Sequence, residues 1–281
     1  MSSESLPGHA RVRGKTGASM LKRCVFLAAL VGLTVMASAQ SELSGRDQFP
    51  QFRGLSALPG GAFALGPDGN PDANGAMSFS TPIGFCLGHY RLSFGASTIS
   101  KNSSFAAFKG DKGSSDGNGT AYLMGGAELG SAGRVTVGFM VLSSFGDNAW
   151  NIQFQPGQQK GPVWYSVGVQ DVFGSGGSSG ESSPGDEATS RSFYAVGTGL
   201  VAPNTYVSAG WGSRRFSHGF INASTNLGRD FKAVIEHDGF NVNAGLACTL
   251  GYDRDDRGRN VTIFLGYTRL KYLTWSVGAT Y

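Results

Sequence analysis

The last nine residues of the chain, LTWSVGATY at positions 273–281, alternate between two kinds of side chain. Apolar or aromatic residues stand at every odd position, from Leu273 to Tyr281, and small or polar residues stand between them. Successive side chains of a β-strand point to opposite faces, so this period of two indicates a strand with one apolar and one polar face.

The same alternation recurs along the chain, for example in residues 242–252 and 90–96. No window in residues 40–281 shows a convincing helical period, and the content of Gly, Ser, Thr and Val disfavours helix almost everywhere in these residues. Turn residues such as Asp238-Gly239 separate the alternating segments and indicate antiparallel hairpins. The predicted strands are 76–82, 86–97, 103–109, 119–129, 134–145, 149–156, 162–173, 191–201, 204–213, 217–226, 230–237, 240–252, 260–269 and 272–281.

The composition of the polar faces favours a transmembrane barrel. These faces carry Gly, Ser, Thr and Asn with few Lys or Glu, whereas a solvated sheet face normally carries more charge. The sequence therefore predicts an all-β, antiparallel up-and-down transmembrane β-barrel with an even count of about 12 strands (12–14). A secreted, carbohydrate-binding β-sandwich is the alternative.

Aromatic residues near the ends of the predicted strands are expected to form girdles at the two membrane–water interfaces. They are Trp150, Trp164, Tyr165, Trp211, Tyr252, Tyr267 and Tyr272.

Hairpin parity gives a second argument for the barrel. Counting connections backward from Tyr281 places the two longest Gly/Ser-rich loops, 110–117 and 174–190, at the end opposite the C-terminus. The seven-residue loop Asp253–Arg259 is the exception, because it falls at the same end as the C-terminus. In outer-membrane barrels the long loops are extracellular and the short turns periplasmic.

The net charge of +4 belongs to the first segment of the chain. Residues 1–39 hold five basic groups and one acidic group, which leaves residues 40–281 neutral (18 basic, 18 acidic). Lys22-Arg23, the apolar run 24–36 and Ala37-Ser38-Ala39 match a bacterial export signal, and residues before Met20 extend beyond it. The basic charge therefore indicates export rather than a nucleic-acid partner.

Three regions follow from these patterns. Residues 1–39 are expected to be a removed signal peptide with an N-terminal overrun. The turn-rich residues 40–73 are expected to form an irregular arm or a plug in the lumen, and residues 74–281 the outer-membrane barrel.

The inward-facing positions hold the candidate functional residues. Their side chains could line a polar channel or bond to one another and close it, and the barrel size alone leaves both open. The lumen-lining candidates are His89, Arg91, Gln153, Gln170, Lys232 and Glu236.

Catalysis, metals and cofactors are not expected. The histidines lack the spacing of metal ligands. A lipid-modifying barrel enzyme, the alternative, would need Ser217 and His218 with Glu236 or Asp238, but neighbouring strand residues face opposite ways. Cys86 and Cys248 fall on the apolar parity, so both are expected to face lipid.

Three stretches resemble the YjbH-like outer-membrane proteins linked to exopolysaccharide production. They are GLSALPGG at 54–61, GAMSFSTPIGFCLG at 75–88, which is similar to that family's first strands, and FKAVIEHDGFNVNAG at 231–245. The resemblance implies a non-enzymatic barrel in the bacterial outer membrane, near surface polysaccharide. Its expected partners are outer-membrane lipid and either polysaccharide or small solutes, for passage or scaffolding.

Overall fold

The chain forms twelve β-strands in a computed structural model that describes residues 52, 56–61, 63–89, 91–99, 119–141, 148–157, 159, 161–174, 190–250 and 260–281. The export signal predicted in residues 1–39 lies outside these ranges. The strands are β1 (Leu92–Ile99), β2 (Gly119–Glu128), β3 (Gly133–Val141), β4 (Asn148–Pro156), β5 (Val163–Gln170), β6 (Ser192–Ala202), β7 (Thr205–Gly212), β8 (Phe220–Asn226), β9 (Phe231–His237), β10 (Val242–Leu250), β11 (Asn260–Thr268) and β12 (Tyr272–Thr280).

The twelve strands close into a single antiparallel barrel in which each strand pairs with its neighbours in sequence. The closing seam joins β1 to β12, with Ser93 opposite Thr280 and Ile99 opposite Thr274. This confirms the predicted up-and-down barrel. The β-sandwich alternative is wrong, because closure leaves no sheet edge.

The strands predicted from residue 119 onward are all present, although β8 begins at Phe220 rather than at 217. The N-terminal ones differ. The predicted strand 76–82 is absent, and the one predicted at 86–97 begins only at Leu92, so residues 74–91 are not part of the wall. Up to Gly88 their backbone groups bond partly to one another and to residues 59–72, and partly to inward side chains of the wall, as shown below. The strand predicted at 103–109 lies outside the described residues.

The connections divide between the two ends of the barrel. We call the end where β1 begins and β12 finishes the terminal end, and the opposite end the loop end. β1, β5, β7 and β9 finish at the loop end, where residues 213–219 and 238–241 connect consecutive strands. The strand directions agree with the parity count. Of the two long loops it concerns, residues 110–117 and 175–189 lie outside the described ranges.

The outer face of the wall is apolar and exposed. Leu273, Trp275 and Val277 of β12 are each about two-fifths exposed, while their neighbours Thr274 and Ser276 are buried. Other exposed outward residues include Phe94, Leu123, Trp150, Tyr165, Phe193, Trp211, Phe231, Leu246, Leu265 and Tyr267. The wall thus presents the apolar side of each alternating strand outward.

Two residues expected in the interface girdles, and one cysteine expected to face lipid, lie inside the barrel instead. Trp164 packs inward against Phe85, and Tyr272 is buried, because both fall on the inward parity of their strands. Cys86 is fully buried inside the barrel, since its segment is not a strand, whereas Cys248 lies on the outward parity of β10. Tyr252 lies outside the described residues. No helix among the described residues is both long and apolar enough to cross a membrane.

Candidate functional site: the filled lumen

The lumen is occupied by the chain segment that precedes β1. We call residues 56–61 and 63–88 the plug. The plug starts near the loop end at Ser56 and runs to the terminal end, where Pro67 and Asn74 contact the wall. It then returns to the loop end at Ser80 and runs back to the terminal end at Gly88. Successive crossings of this kind fill the barrel along its axis.

Glu236 of β9 is the most heavily bonded anchor of the plug. Its carboxylate accepts hydrogen bonds from the backbone N–H groups of Phe79, Ser80 and Thr81 at 3.0 Å each. The hydroxyl groups of Ser80 and Thr81 each donate to it at 2.7 Å, and Asn243 Nδ2 donates at 3.2 Å. Glu236 is fully buried, so these bonds replace the water that its charge would otherwise need.

Arg215 holds the same part of the plug through the carbonyl of Ser80. It belongs to a short 3-10 turn, Arg214–Phe216, which follows β7 at the loop end, and its side chain is fully buried. Its Nη2 donates to the carbonyl of Ser80 at 2.8 Å, and its Nη1 donates to Gln170 Oε1 at 2.6 Å. Ser80 therefore bonds to the anion of Glu236 and to the cation of Arg215.

Amide and hydroxyl side chains of β3 to β6 hold the last part of the plug. Gln153 Nε2 donates to the carbonyls of Ile83 and Phe85 at 2.8 Å each, and its Oε1 accepts from the hydroxyl of Tyr194 at 2.8 Å. Gly84 donates its N–H to Thr198 Oγ1 at 2.7 Å. These side chains act as the bonding partners that an adjacent strand would have supplied.

Apolar packing fills the space between the polar anchors. Phe79 meets Phe264 edge-on at 4.9 Å between ring centres, and Phe85 does the same with Tyr206 at 5.8 Å. Leu58 belongs to a separate buried cluster with Tyr194, Val196, Phe216 and Phe220. The plug is thus packed as a protein core rather than loosely inserted.

Two inward glycines of the wall bring it close to the plug backbone. A Cβ on Gly126 would lie 2.4 Å from the carbonyl oxygen of Gly88, and one on Gly138 would lie 2.5 Å from that of Ala57. Both distances are too short for any larger residue without displacement. Inward glycine at these positions therefore makes room for the plug.

Cys86 is buried at the contact between the plug and β4. Its N–H donates to Gln155 Oε1 at 2.8 Å, and its Sγ contacts the carbonyl of Gln153 at 3.4 Å. Burial disfavours the thiolate and raises the pKa of this thiol from its ordinary value of 9.0 to about 11.

The six residues chosen from inward parity lie in two places. Gln153 and Glu236 are buried against the plug, as described above, and Gln170 is buried and donates through Nε2 to the carbonyl of Ser56 at 3.3 Å. Lys232 is also buried and donates through Nζ to Asn226 Oδ1 near the terminal end. His89 and Arg91 lie at the terminal rim, because β1 begins only at Leu92. His89 is exposed there and accepts a hydrogen bond from the N–H of Glu128 through Nδ1, and Arg91 Nε donates to Asn70 Oδ1 at 3.1 Å.

Asn151, Gln155 and Arg215 also bond to the plug through their side chains, but they were not among the residues selected from the sequence. Asn151 and Gln155 flank Gln153 on the same strand face, so inward parity could have found both. Asn151 Nδ2 donates to the carbonyl of Ser56 at 2.8 Å. Arg215 lies in a connection, where no periodic signal indicates burial.

Ser217, His218 and Glu236, which the alternative of a lipid-modifying enzyme would need as one catalytic set, each contact other residues. Ser217 and His218 precede β8, Ser217 Oγ donates to the carbonyl of Arg214 at 2.7 Å, and the ring of His218 packs on Phe240. Glu236 bonds to the plug. Within the described ranges, no group of three His, Cys, Asp or Glu side chains is arranged to hold a metal ion.

Comparison with known proteins gives porin-like structures at low similarity. No family model matches the chain, and no curated protein matches it. A multiply substituted mutant of the Rh. blastica porin is 8% identical over 68% of this chain and 98% of that one, with a TM-score of 0.29. A structure described as "Asymmetric conductivity of engineered proteins" is 11% identical over the same shares, with a TM-score of 0.26. Neither similarity extends to function.

Proposed function

We propose that this chain is a non-enzymatic β-barrel of the bacterial outer membrane whose lumen is closed by its own plug. One observation carries the proposal. Across the twelve strands the residues Asp, Glu, Lys and Arg occur only at Glu128, Arg134, Lys232 and Glu236, and all four lie on inward positions. An Arg or Lys facing lipid at the bilayer centre costs about 2–4 kcal/mol, whereas a wall facing water gains from outward charge.

The apolar area outside the barrel supports the same proposal. Exposed aromatic and aliphatic residues occur among the described side chains of every strand except β8, from Phe94 on β1 to Trp275 on β12. A soluble monomer rarely exposes a contiguous apolar patch larger than a few hundred Å². In the hydrocarbon core of a bilayer this apolar surface is not exposed to water, so its free-energy cost disappears.

The plug limits what the barrel can pass. Solute reaches the other side only if the plug moves, so the proposed roles are conditional passage of saccharides or small solutes, or scaffolding at the cell surface. The resemblance to YjbH-like proteins favours surface polysaccharide as the material handled.

Cell fractionation combined with gel migration tests the proposal. The protein is expected in the outer-membrane fraction, resistant to carbonate extraction, with folded and boiled samples that migrate differently. In planar bilayers the wild-type barrel is expected to conduct almost no ions, because its lumen is full. A soluble periplasmic product without a migration shift would contradict the membrane assignment, and steady conductance of the wild-type barrel would contradict the closed lumen.

A further inference from the structure

A polar cavity opens at the terminal end, between the tip of the plug and strands β2 to β5. Its volume is about 260 Å³, and its lining includes Pro67 of the plug and Glu128, Arg134, Gln155 and Trp164 of the wall. We call it the rim pocket. It is separate from the Glu236 anchor, which lies toward the loop end.

The rim pocket is held in shape by bonds between plug and wall. Arg134 Nη1 donates to the carbonyl of Pro67 at 2.9 Å, and Arg134 Nε donates to Glu128 Oε1 at 3.4 Å. Gly133 allows the β2–β3 turn to approach β4, because a Cβ there would lie 2.1 Å from the carbonyl oxygen of Gln155. The positive charge of Arg134 and the negative charge of Glu128 cancel, so the net charge of these lining side chains is close to zero.

Hydrogen-bonding capacity remains unused in the pocket. Gln155 is only 5% exposed and its Oε1 is occupied by the N–H of Cys86, yet its Nε2 donates to no described residue. The indole N–H of Trp164 also has no acceptor among the described residues, while its ring packs edge-on against Phe85 at 5.4 Å. Both residues line the cavity, so these two donors are available to the acceptor atoms of a bound molecule.

We infer that the rim pocket binds a neutral polyhydroxylated ligand, specifically one or two sugar rings. The carboxylate of Glu128 opposes phosphate and other anions, and Arg134 opposes cations. Sugar hydroxyls can accept from Gln155 and Arg134 and donate to Glu128 at once. The cavity is smaller than the 300–1,000 Å³ typical of drug-sized ligands, which limits the occupant to a short saccharide.

Binding at this site is coupled to the plug. Pro67 belongs to the plug and the other lining side chains to the wall, so the complete pocket exists only while the plug is seated. A ligand that binds only this state stabilises it by mass action. The inference deepens the proposed function and rests on it for its biological meaning, since it gives a saccharide a place on the closed barrel.

Titration calorimetry on the purified barrel tests the site. The barrel is kept in a detergent without a sugar headgroup and titrated with methyl α-glucopyranoside, methyl α-mannopyranoside, N-acetylglucosamine and, separately, inorganic phosphate. At least one neutral sugar is expected to bind saturably and to slow plug unfolding, while phosphate does not bind.

Two variants and one matched control sharpen the result. Glu128→Gln is expected to weaken sugar binding about tenfold, the loss typical of a hydrogen bond to a charged group, and to admit phosphate. Trp164→Phe keeps an aromatic ring but removes the N–H donor, and is expected to weaken binding severalfold. Asp230→Asn removes a carboxylate that is paired with Arg229 at the same end, outside the pocket, and should leave binding unchanged.

The outcomes separate the site from the proposed function. No saturable binding of any neutral sugar by a barrel that shows the folded migration shift overturns the inference, as does unchanged affinity in Glu128→Gln. A barrel that fails to fractionate with the membrane contradicts the proposed function, whatever its sugar affinity in detergent.

Discussion

The carboxylate of Glu236 lies within 3.0 Å of the backbone nitrogen of Ser80 through both of its oxygens. This relationship joins β9 of the wall to the plug, and neither group is exposed. A buried carboxylate that accepts several N–H and O–H groups is stabilised only as long as those donors stay in place. The seating of the plug and the burial of Glu236 therefore depend on each other.

Replacing Glu236 by Gln is expected to loosen the plug. The amide NH₂ would face donors that need an acceptor, so we expect a loss of about 2–3 kcal/mol in the free energy of unfolding. Denaturant melts would measure it, with Asp230→Asn as an exposed acidic control. In planar bilayers the variant should open more often than the wild type. Unchanged stability and unchanged conductance together would show that Glu236 does not hold the plug.

A larger side chain at Gly138 is expected to displace the start of the plug. The Cβ of Gly138→Val would meet the carbonyl oxygen of Ala57, and overpacking of this kind costs about 1–3 kcal/mol. Gly125→Ala is the matched control on the neighbouring strand, because its nearest contact is 3.4 Å away on a flexible leucine side chain. Thermal unfolding measures the melting temperatures of the two variants, and that of Gly138→Val is expected to be the lower. Equal melting temperatures would argue against a tightly seated plug.

Cys86 is expected to resist alkylation in the folded barrel. A thiol pKa of about 11 instead of 9.0 makes the thiolate about a hundredfold rarer between pH 7 and pH 8, and the rate should rise with pH up to about 11. Maleimide labelling of a Cys24→Ala, Cys248→Ala protein would measure this before and after denaturation. Rapid labelling of the folded protein near neutral pH would mean that the plug leaves the lumen readily.

A charge on the outer wall is expected to block membrane insertion. Leu265 is 54% exposed near the middle of β11, and an Arg at the centre of a bilayer costs about 2–4 kcal/mol. Leu265→Arg should fold poorly into lipid vesicles, as judged by the heat-dependent gel shift, whereas Leu265→Met should fold as the wild type does. Normal insertion of the Arg variant would place this face away from lipid.

The wall of the barrel could be predicted from the sequence because alternation is a local property. Every strand from β2 to β12 follows from its own period of two and its own turn residues, without knowledge of the rest of the chain. The same rule placed Gln153, Gln170, Lys232 and Glu236 on the inward face.

The same local rule was wrong for residues 76–82. This segment contains alternating apolar residues such as Met77 and Phe79, yet its backbone bonds to side chains of the wall. Two of the three stretches that resemble YjbH-like proteins are described at residues 56–61 and 75–88, and there they are irregular rather than strands. A local pattern cannot tell a strand from an extended segment that finds its acceptors elsewhere.

The sequence by itself determined the strands of the wall from β2 onward and which of their faces is apolar, because a strand's two faces are set by its immediate neighbours. Only the tertiary structure decided what occupies the lumen. The partners of Glu236 in the plug are 155 to 157 residues away along the chain, and Arg215 reaches Ser80 across 135 residues. Contacts at such separations arise only when the closed barrel brings its inward side chains around the segment that enters it.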